Sequence, residues 1–90
     1  MSNWVSVSSS NLSEVRYDEV TSTLGVRFLN GSEYEYYDVF SDDYYNLIGA
    51  PSAGQYFNAH IKSIYRYSRI YKGELGEMVR KHSYAPKIIN

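Results

Sequence analysis

Residues 23–39 read TLGVRFLNGSEYEYYDV, and the pairing of the two halves of this stretch decides the fold. Leu24, Val26 and Phe28 alternate with Gly25 and Arg27, the two-residue period of a half-buried strand. Beyond Asn30-Gly31, Tyr34 and Tyr36 alternate with Glu33 and Glu35. A two-residue Asn30-Gly31 turn would set Phe28 against Glu33 and Val26 against Glu35, leaving carboxylates on the apolar face. One added residue, as in a type I turn with Gly31 in a left-handed G1 bulge, sets Phe28 against Tyr34, Val26 against Tyr36 and Arg27 against Glu35. A one-residue slip turns every side chain over, so only the second arrangement suits both faces. Tyr34 and Tyr36 are therefore expected in the core, where aromatic cross-strand pairs contribute roughly 0.2–1 kcal/mol each. Tyr37 falls on the outer face beside Arg27 and Glu35.

Upstream, Val15 and Tyr17 face one way and Glu14, Arg16 and Asp18 the other. Val5 and Val7 mark a short edge strand. Downstream, Ser41 reads as an N-cap, with Asp42 and Asp43 at the positive end of a helix dipole. Tyr44, Leu47 and Ile48 form the buried stripe of this helix, and Gly49 with Pro51 ends it. Ser52-Ala53-Gly54-Gln55 fits a capping box, opening a second helix through about Tyr65 on a stripe of Phe57, Ile61 and Ile64. Within the polar stretch Lys72–Asn90, GELGEMVRKH supports at most a short, marginal helix. The expected fold is α+β: a three-stranded antiparallel meander plus a short N-terminal edge strand, packed against two helices.

Ninety residues allow one small core, and a composition 43% hydrophobic and 17% aromatic excludes a disordered chain. Eleven tyrosines, each needing a hydroxyl partner when buried, make that core unusually polar. With no cysteine, a disulfide framework and a Cys-ligated zinc are excluded. MSNWVSVSSS has no basic region followed by an apolar run, so a signal peptide is not expected. No stretch approaches the roughly 20 apolar residues of a spanning helix, and a cytoplasmic protein is the expectation. Charge is divided along the chain. Through Ile61, Arg16 and Arg27 face eight carboxylates; from Lys62 onward, seven cations face Glu74 and Glu77. A basic arm of this kind suits an anionic partner, or the chain's own acidic body.

In order and spacing these features resemble the KTSC domain, named for its place at the C-terminus of some lysyl-tRNA synthetases and also found as a stand-alone protein. The residues carrying the likeness are Val7-Ser8-Ser9, Tyr17-Asp18, Leu24-x-Val26-x-Phe28, Gly31, Tyr34-x-Tyr36, Asp38-Val39, Ser52-x-Gly54, Phe57-Asn58, Ile61 and Tyr65-Arg66-Tyr67-Ser68-Arg69. The likeness covers residues 5–70 and divides the chain into a KTSC-like domain over 1–70 and a basic extension over 71–90. Phe40 stands where the family usually has proline. The synthetase context implies RNA binding.

The segment KSIYRYSRIYK, residues 62–72, carries the chemistry that single-strand binders use. Lys62, Arg66, Arg69 and Lys72 would neutralise phosphates, and Tyr65, Tyr67 and Tyr71 interleave as flat rings for bases. The competing account is that Tyr65 and Tyr67 close the core while the cations solvate its edge. Ser52 and Gly54 lie at a helix N-terminus that could hold a phosphate or carboxylate, with His60 farther along the same helix near the polar flank of its stripe, although Gly54 equally serves close helix packing. Tyr37 could stack on a base, but Glu35 and Asp38 beside it repel phosphate. Those carboxylates, with Glu33, Tyr37, Asp42 and Asp43, make an acidic face for a protein partner or a second copy. No nucleophile–base pair, metal-ligand spacing or phosphate loop is legible, so no enzyme, metal or cofactor is expected. His82 lies alone in the tail. The expected function is a small binding module for RNA. The rivals are a protein-binding adaptor or inhibitor, self-associating or not, and an oligomer that captures a small nucleotide.

Overall fold

The computed structural model describes residues 3–72 and, as backbone, 78–84. The chain is α+β. Strands β1 (Val5–Ser6), β2 (Leu12–Asp18), β3 (Thr23–Phe28) and β4 (Glu33–Tyr36) are followed by helices α1 (Ser41–Gly49) and α2 (Ala53–His60), then β5 (Tyr67–Lys72) and β6 (Met78–Tyr84). All six strands join one antiparallel sheet in the order β1-β2-β3-β4-β5-β6. The expected meander and edge strand are β1 to β4. Two further strands extend them, because β4 would otherwise leave a row of backbone groups unpaired at its edge.

Tyr34 and Tyr36 share a face with Leu24 and Val26, as expected, but the pairing lies two residues from the expected one. Leu24 pairs with Tyr36, Val26 with Tyr34 and Arg27 with Glu33. The bulge is of the expected kind: Gly31 has φ +92° and its N–H donates to the Phe28 carbonyl at 2.9 Å. The Phe28 N–H donates to the Ser32 carbonyl at 2.9 Å, so the third loop residue is Leu29 rather than Ser32. Gly31 is therefore the last loop residue, the left-handed position that follows a type I turn over Leu29 and Asn30, so local turn geometry sets this register.

The core joins Leu12, Val15, Tyr17, Leu24, Val26 and Tyr36 of the sheet to Val39, Tyr44, Leu47, Ala53, Phe57, Ile61 and Tyr65. A bulge between Leu12 and Glu14 rephases β2, so that Leu12 and Val15 both point inward. Burying each large aliphatic side chain contributes about 1.5–3 kcal/mol.

The helices differ from expectation at their ends. Phe40, not Ser41, is the N-cap of α1, without a side-chain cap, and Ala50 is its C-cap. Tyr44 and Leu47 are buried, but Ile48 is exposed. Ser52 caps α2 as expected, its Oγ accepting from the Gln55 N–H at 3.3 Å. α2 stops at His60 instead of running to Tyr65, and Ile64 is exposed. The Ile61 and Lys62 N–H groups both donate to the Phe57 carbonyl, and those of Ile64 and Tyr65 donate to the Ile61 carbonyl. This turn puts Ile61 and Tyr65 into the core and releases the chain to pair with β4. The 70/71 boundary falls inside β5. Within GELGEMVRKH, residues 73–77 lie outside the described residues, and the rest is strand β6 rather than helix.

Candidate nucleic-acid interface

The β4–β5 register sets Tyr36 opposite Tyr67 and Tyr34 opposite Arg69. Directly paired residues share a face, so all four lie on the side of the sheet that the helices cover. Phe57 of α2 meets Tyr36 edge-on at 5.3 Å and Phe28 at 5.8 Å. From that point the aromatic row continues outward through Tyr67, 5.4 Å from Tyr36 and 5.8 Å from Tyr34. Burial chiefly, then the neighbouring Tyr67 and Tyr34, pushes the Tyr36 hydroxyl pKa above the ordinary tyrosine value.

Arg69 stands at the outer end of the row. Its guanidinium lies 4.7 Å from the Tyr71 ring centroid and 5.9 Å from that of Tyr34. Its Nε is buried without a hydrogen-bond partner. Tyr71 is 39% exposed, and Tyr34 and Tyr67 are half-buried. The result is a graded surface in which rings anchored in the core lead out to an accessible ring stacked on a cation. Such a surface can stack flat groups and attract anions.

The other residues of the basic segment do not join it. Lys62 is exposed in the turn after α2. Tyr65 is core: its hydroxyl donates to Asp43 Oδ2 at 2.5 Å and accepts from the Phe40 N–H at 3.4 Å. Burial chiefly, then that carboxylate, pushes its pKa up to about 12. Arg66 and Tyr37 are linked through their backbones, and alternation from Tyr67 and Tyr36 turns both to the outer face. Arg66 pairs there with Asp38 at 3.0 Å, 5.5 Å from the Tyr37 ring. The side chain of Lys72 lies outside the described residues.

The acidic face is engaged within the chain. Arg27 pairs with Glu33 at 3.1 Å and Glu14 at 3.4 Å, and the Tyr37 hydroxyl donates to Glu35 at 3.2 Å. Trp4, which strand patterning marks only as an edge residue, lies against the guanidinium groups of Arg27 at 4.0 Å and Arg16 at 4.4 Å. The start of α2 is likewise occupied. The Ala53 N–H donates to the Ser8 carbonyl at 2.9 Å, and Ser9 and Asn11 fill the space over Gly54. His60 is exposed with its ring 4.4 Å from that of Tyr56. Among the described residues no three His, Cys, Asp or Glu side chains cluster to hold a metal ion, and no helix is long and apolar enough to cross a membrane.

Sequence periodicity assigned Tyr34 to the core and took residues up to Tyr65 as helix, so it missed the pairing of Tyr34 with Arg69. The available signal was the alternation of Tyr67, Arg69 and Tyr71 with Ser68 and Ile70.

Comparison with known proteins agrees with this architecture. The chain is 41% identical over 59 residues to a lysine–tRNA ligase of Trichormus variabilis, a match covering 66% of this chain and 10% of the ligase. A lysine–tRNA ligase of Nostoc sp. is 42% identical over 55 residues, covering 61% of this chain and 10% of that one. The chain thus spans a small part of the ligases it matches. A protein of Tsukamurella paurometabola is 33% identical over 60 residues, covering 67% of this chain and 90% of its own. The crystal structure of a KTSC domain protein from Yersinia pestis superposes with a TM-score of 0.71 at 28% identity, covering 77% of this chain and 97% of that one. The family model for the KTSC domain matches residues 8–67, from just after β1 to the start of β5, and the chain belongs to the KTSC domain family.

Proposed function

We propose that this chain is a small, non-enzymatic cytoplasmic module that binds single-stranded RNA on the outer end of its helix-side sheet face. The observation that carries the reading is Arg69, held over Tyr71 and Tyr34 with its buried Nε lacking a partner. Tyr71 and Tyr67 would stack bases, and the Arg69 guanidinium would meet the phosphate between them. Lys62 and Lys72 would add long-range attraction without shaping the site. Relatives named lysine–tRNA ligases act on a tRNA, which agrees with an RNA partner. The adaptor reading through Glu33, Glu35, Tyr37 and Asp38 has less support, because Arg27 holds Glu33 and the Tyr37 hydroxyl holds Glu35 within the chain. That leaves Asp38, in a weak exposed pair with Arg66, as the acid open to exchange.

The test is fluorescence anisotropy with short single-stranded and hairpin RNAs at two salt concentrations. Loss of one stacked base costs about 1–3 kcal/mol, so Tyr71→Ala should weaken binding roughly fivefold to a hundredfold. Arg69→Glu should weaken it at least as much. Unchanged affinity in Arg69→Glu would sink the reading.

A further inference from the structure

A second surface, built from different residues, lies where the β2–β3 turn meets the loop between β4 and α1. Tyr17 and Val39 floor a depression there, and its walls include Phe40 and Tyr45. Phe40 is 74% exposed and Tyr45 53%, while Val20, in the adjoining turn, is 94% exposed. Scattered exposed hydrophobics need no explanation, but large ones gathered around one depression mark interaction sites. The depression is preformed. The Tyr17 hydroxyl donates to the Val39 carbonyl at 2.5 Å, and the Val39 N–H donates to the Ser22 carbonyl at 2.9 Å, fastening the two loops together. Ser22 and Asp38, one in each loop, hold φ of +56° and +55°. Left-handed backbone at residues other than glycine costs energy and gathers at functional sites.

The geometry points to a docking surface for a short peptide segment of a partner protein that carries Lys or Arg beside large apolar residues. Charge complementarity selects this occupant. Among the described residues lining the depression, the charged ones are Glu19 and Asp38, both acidic. Glu19 accepts from the Tyr45 hydroxyl at 2.8 Å, which holds its carboxylate beside an apolar wall. Asp38 meets Arg66, but the two side chains are 79% and 53% exposed, so an incoming cation can take Arg66's place. The same acids disfavour RNA here, which separates this surface from the one around Arg69.

The experiment titrates the intact chain into three fluorescein-labelled octapeptides: alternating leucine and lysine, alternating leucine and glutamate, and alternating serine and lysine. Saturable binding is expected for the leucine–lysine peptide alone. Phe40→Ala and Glu19→Gln should each weaken it about tenfold or more; Phe40→Ala should leave RNA affinity unchanged and Glu19→Gln should not lower it, since neither residue belongs to the Arg69 surface. Both positions are exposed, and circular dichroism would verify that the variants fold. Equal binding of the leucine–lysine and serine–lysine peptides would overturn the proposal, because charge alone would then suffice. So would indifference to Phe40→Ala. A dimer seen by sedimentation that Phe40→Ala dissolves, with no peptide binding, would give the surface to a second copy instead.

Discussion

The Tyr65 hydroxyl meets Oδ2 of Asp43 at 2.5 Å, joining residues 22 positions apart. The other oxygen of that carboxylate accepts from Tyr56 at 2.7 Å. Asp43 sits in the first turn of α1, Tyr56 on α2, and Tyr65 just ahead of β5. One carboxylate therefore fastens three elements and helps release the chain from α2 into the sheet. Hydrogen bonds to charged groups contribute about 1.5–3 kcal/mol. Asp43→Ala should cost more stability in urea than Tyr56→Phe or Tyr65→Phe, because it strands two hydroxyls at once. A double-mutant cycle between Asp43 and Tyr65 should show coupling, and additivity would remove Asp43 from this role.

Alkaline pH should unfold the chain through the same region. The folded-state pKa of Tyr65 is raised from 10.0 to about 12, by burial first and the Asp43 bond second. Tyr36 is raised too, by burial and then by its tyrosine neighbours. Folding favours the neutral phenols, so their stabilisation is fully present below the unfolded value and is lost as pH rises through the folded one. Urea midpoints should hold to about pH 10 with respect to these groups and decline towards pH 12. Tyr65→Phe should flatten the decline, and superimposable profiles would refute the linkage.

Gly54→Ala tests why glycine stands in the first turn of α2. A Cβ there would lie 2.6 Å from Asn11 Oδ1 and 2.8 Å from Ser9 Oγ. Those side chains are not free to withdraw. Ser9 Oγ accepts from the Leu12 N–H at 2.9 Å and donates to Asn11 Oδ1 at 2.8 Å. Overpacking costs about 1–3 kcal/mol, against roughly 1 kcal/mol of helix propensity gained. The measured outcome should be a lower melting temperature, partly restored by adding Asn11→Gly.

Arg66 and Arg69 should behave differently although both carry one charge. Arg66 is spent on an exposed pair with Asp38, worth about 0–1 kcal/mol. Arg66→Ala should change stability little and RNA affinity less than Arg69→Ala. Arg69→Lys keeps the charge but loses the planar stack on Tyr71. Its affinity should fall while the salt slope stays near that of the wild type. An Arg66→Ala loss equal to that of Arg69→Ala would return the RNA site to the whole basic segment.

Local features of this chain were legible wherever neighbours in sequence are also neighbours in space. Alternation placed Tyr34 and Tyr36 with Leu24 and Val26, Gly31 took the left-handed position of the hairpin, and Ser52 capped α2. Helical spacing through Ile61 and Ile64 then misled, because a stripe at that period says nothing of an unpaired β4 edge waiting across the sheet. Pairing β5 with that edge satisfies backbone groups that a longer α2 would have left open.

By itself, then, the sequence determined the α+β class, the inward face of each early strand and the division of charge. These follow from side-chain periodicity and backbone preferences that act within a few residues. Only the tertiary structure decided the fate of residues 67–72 and 78–84 and the parting of Arg66 from Arg69. Each of those depends on hydrogen bonds between segments distant in the chain, whose free energy outweighs the local helical preference of the residues concerned.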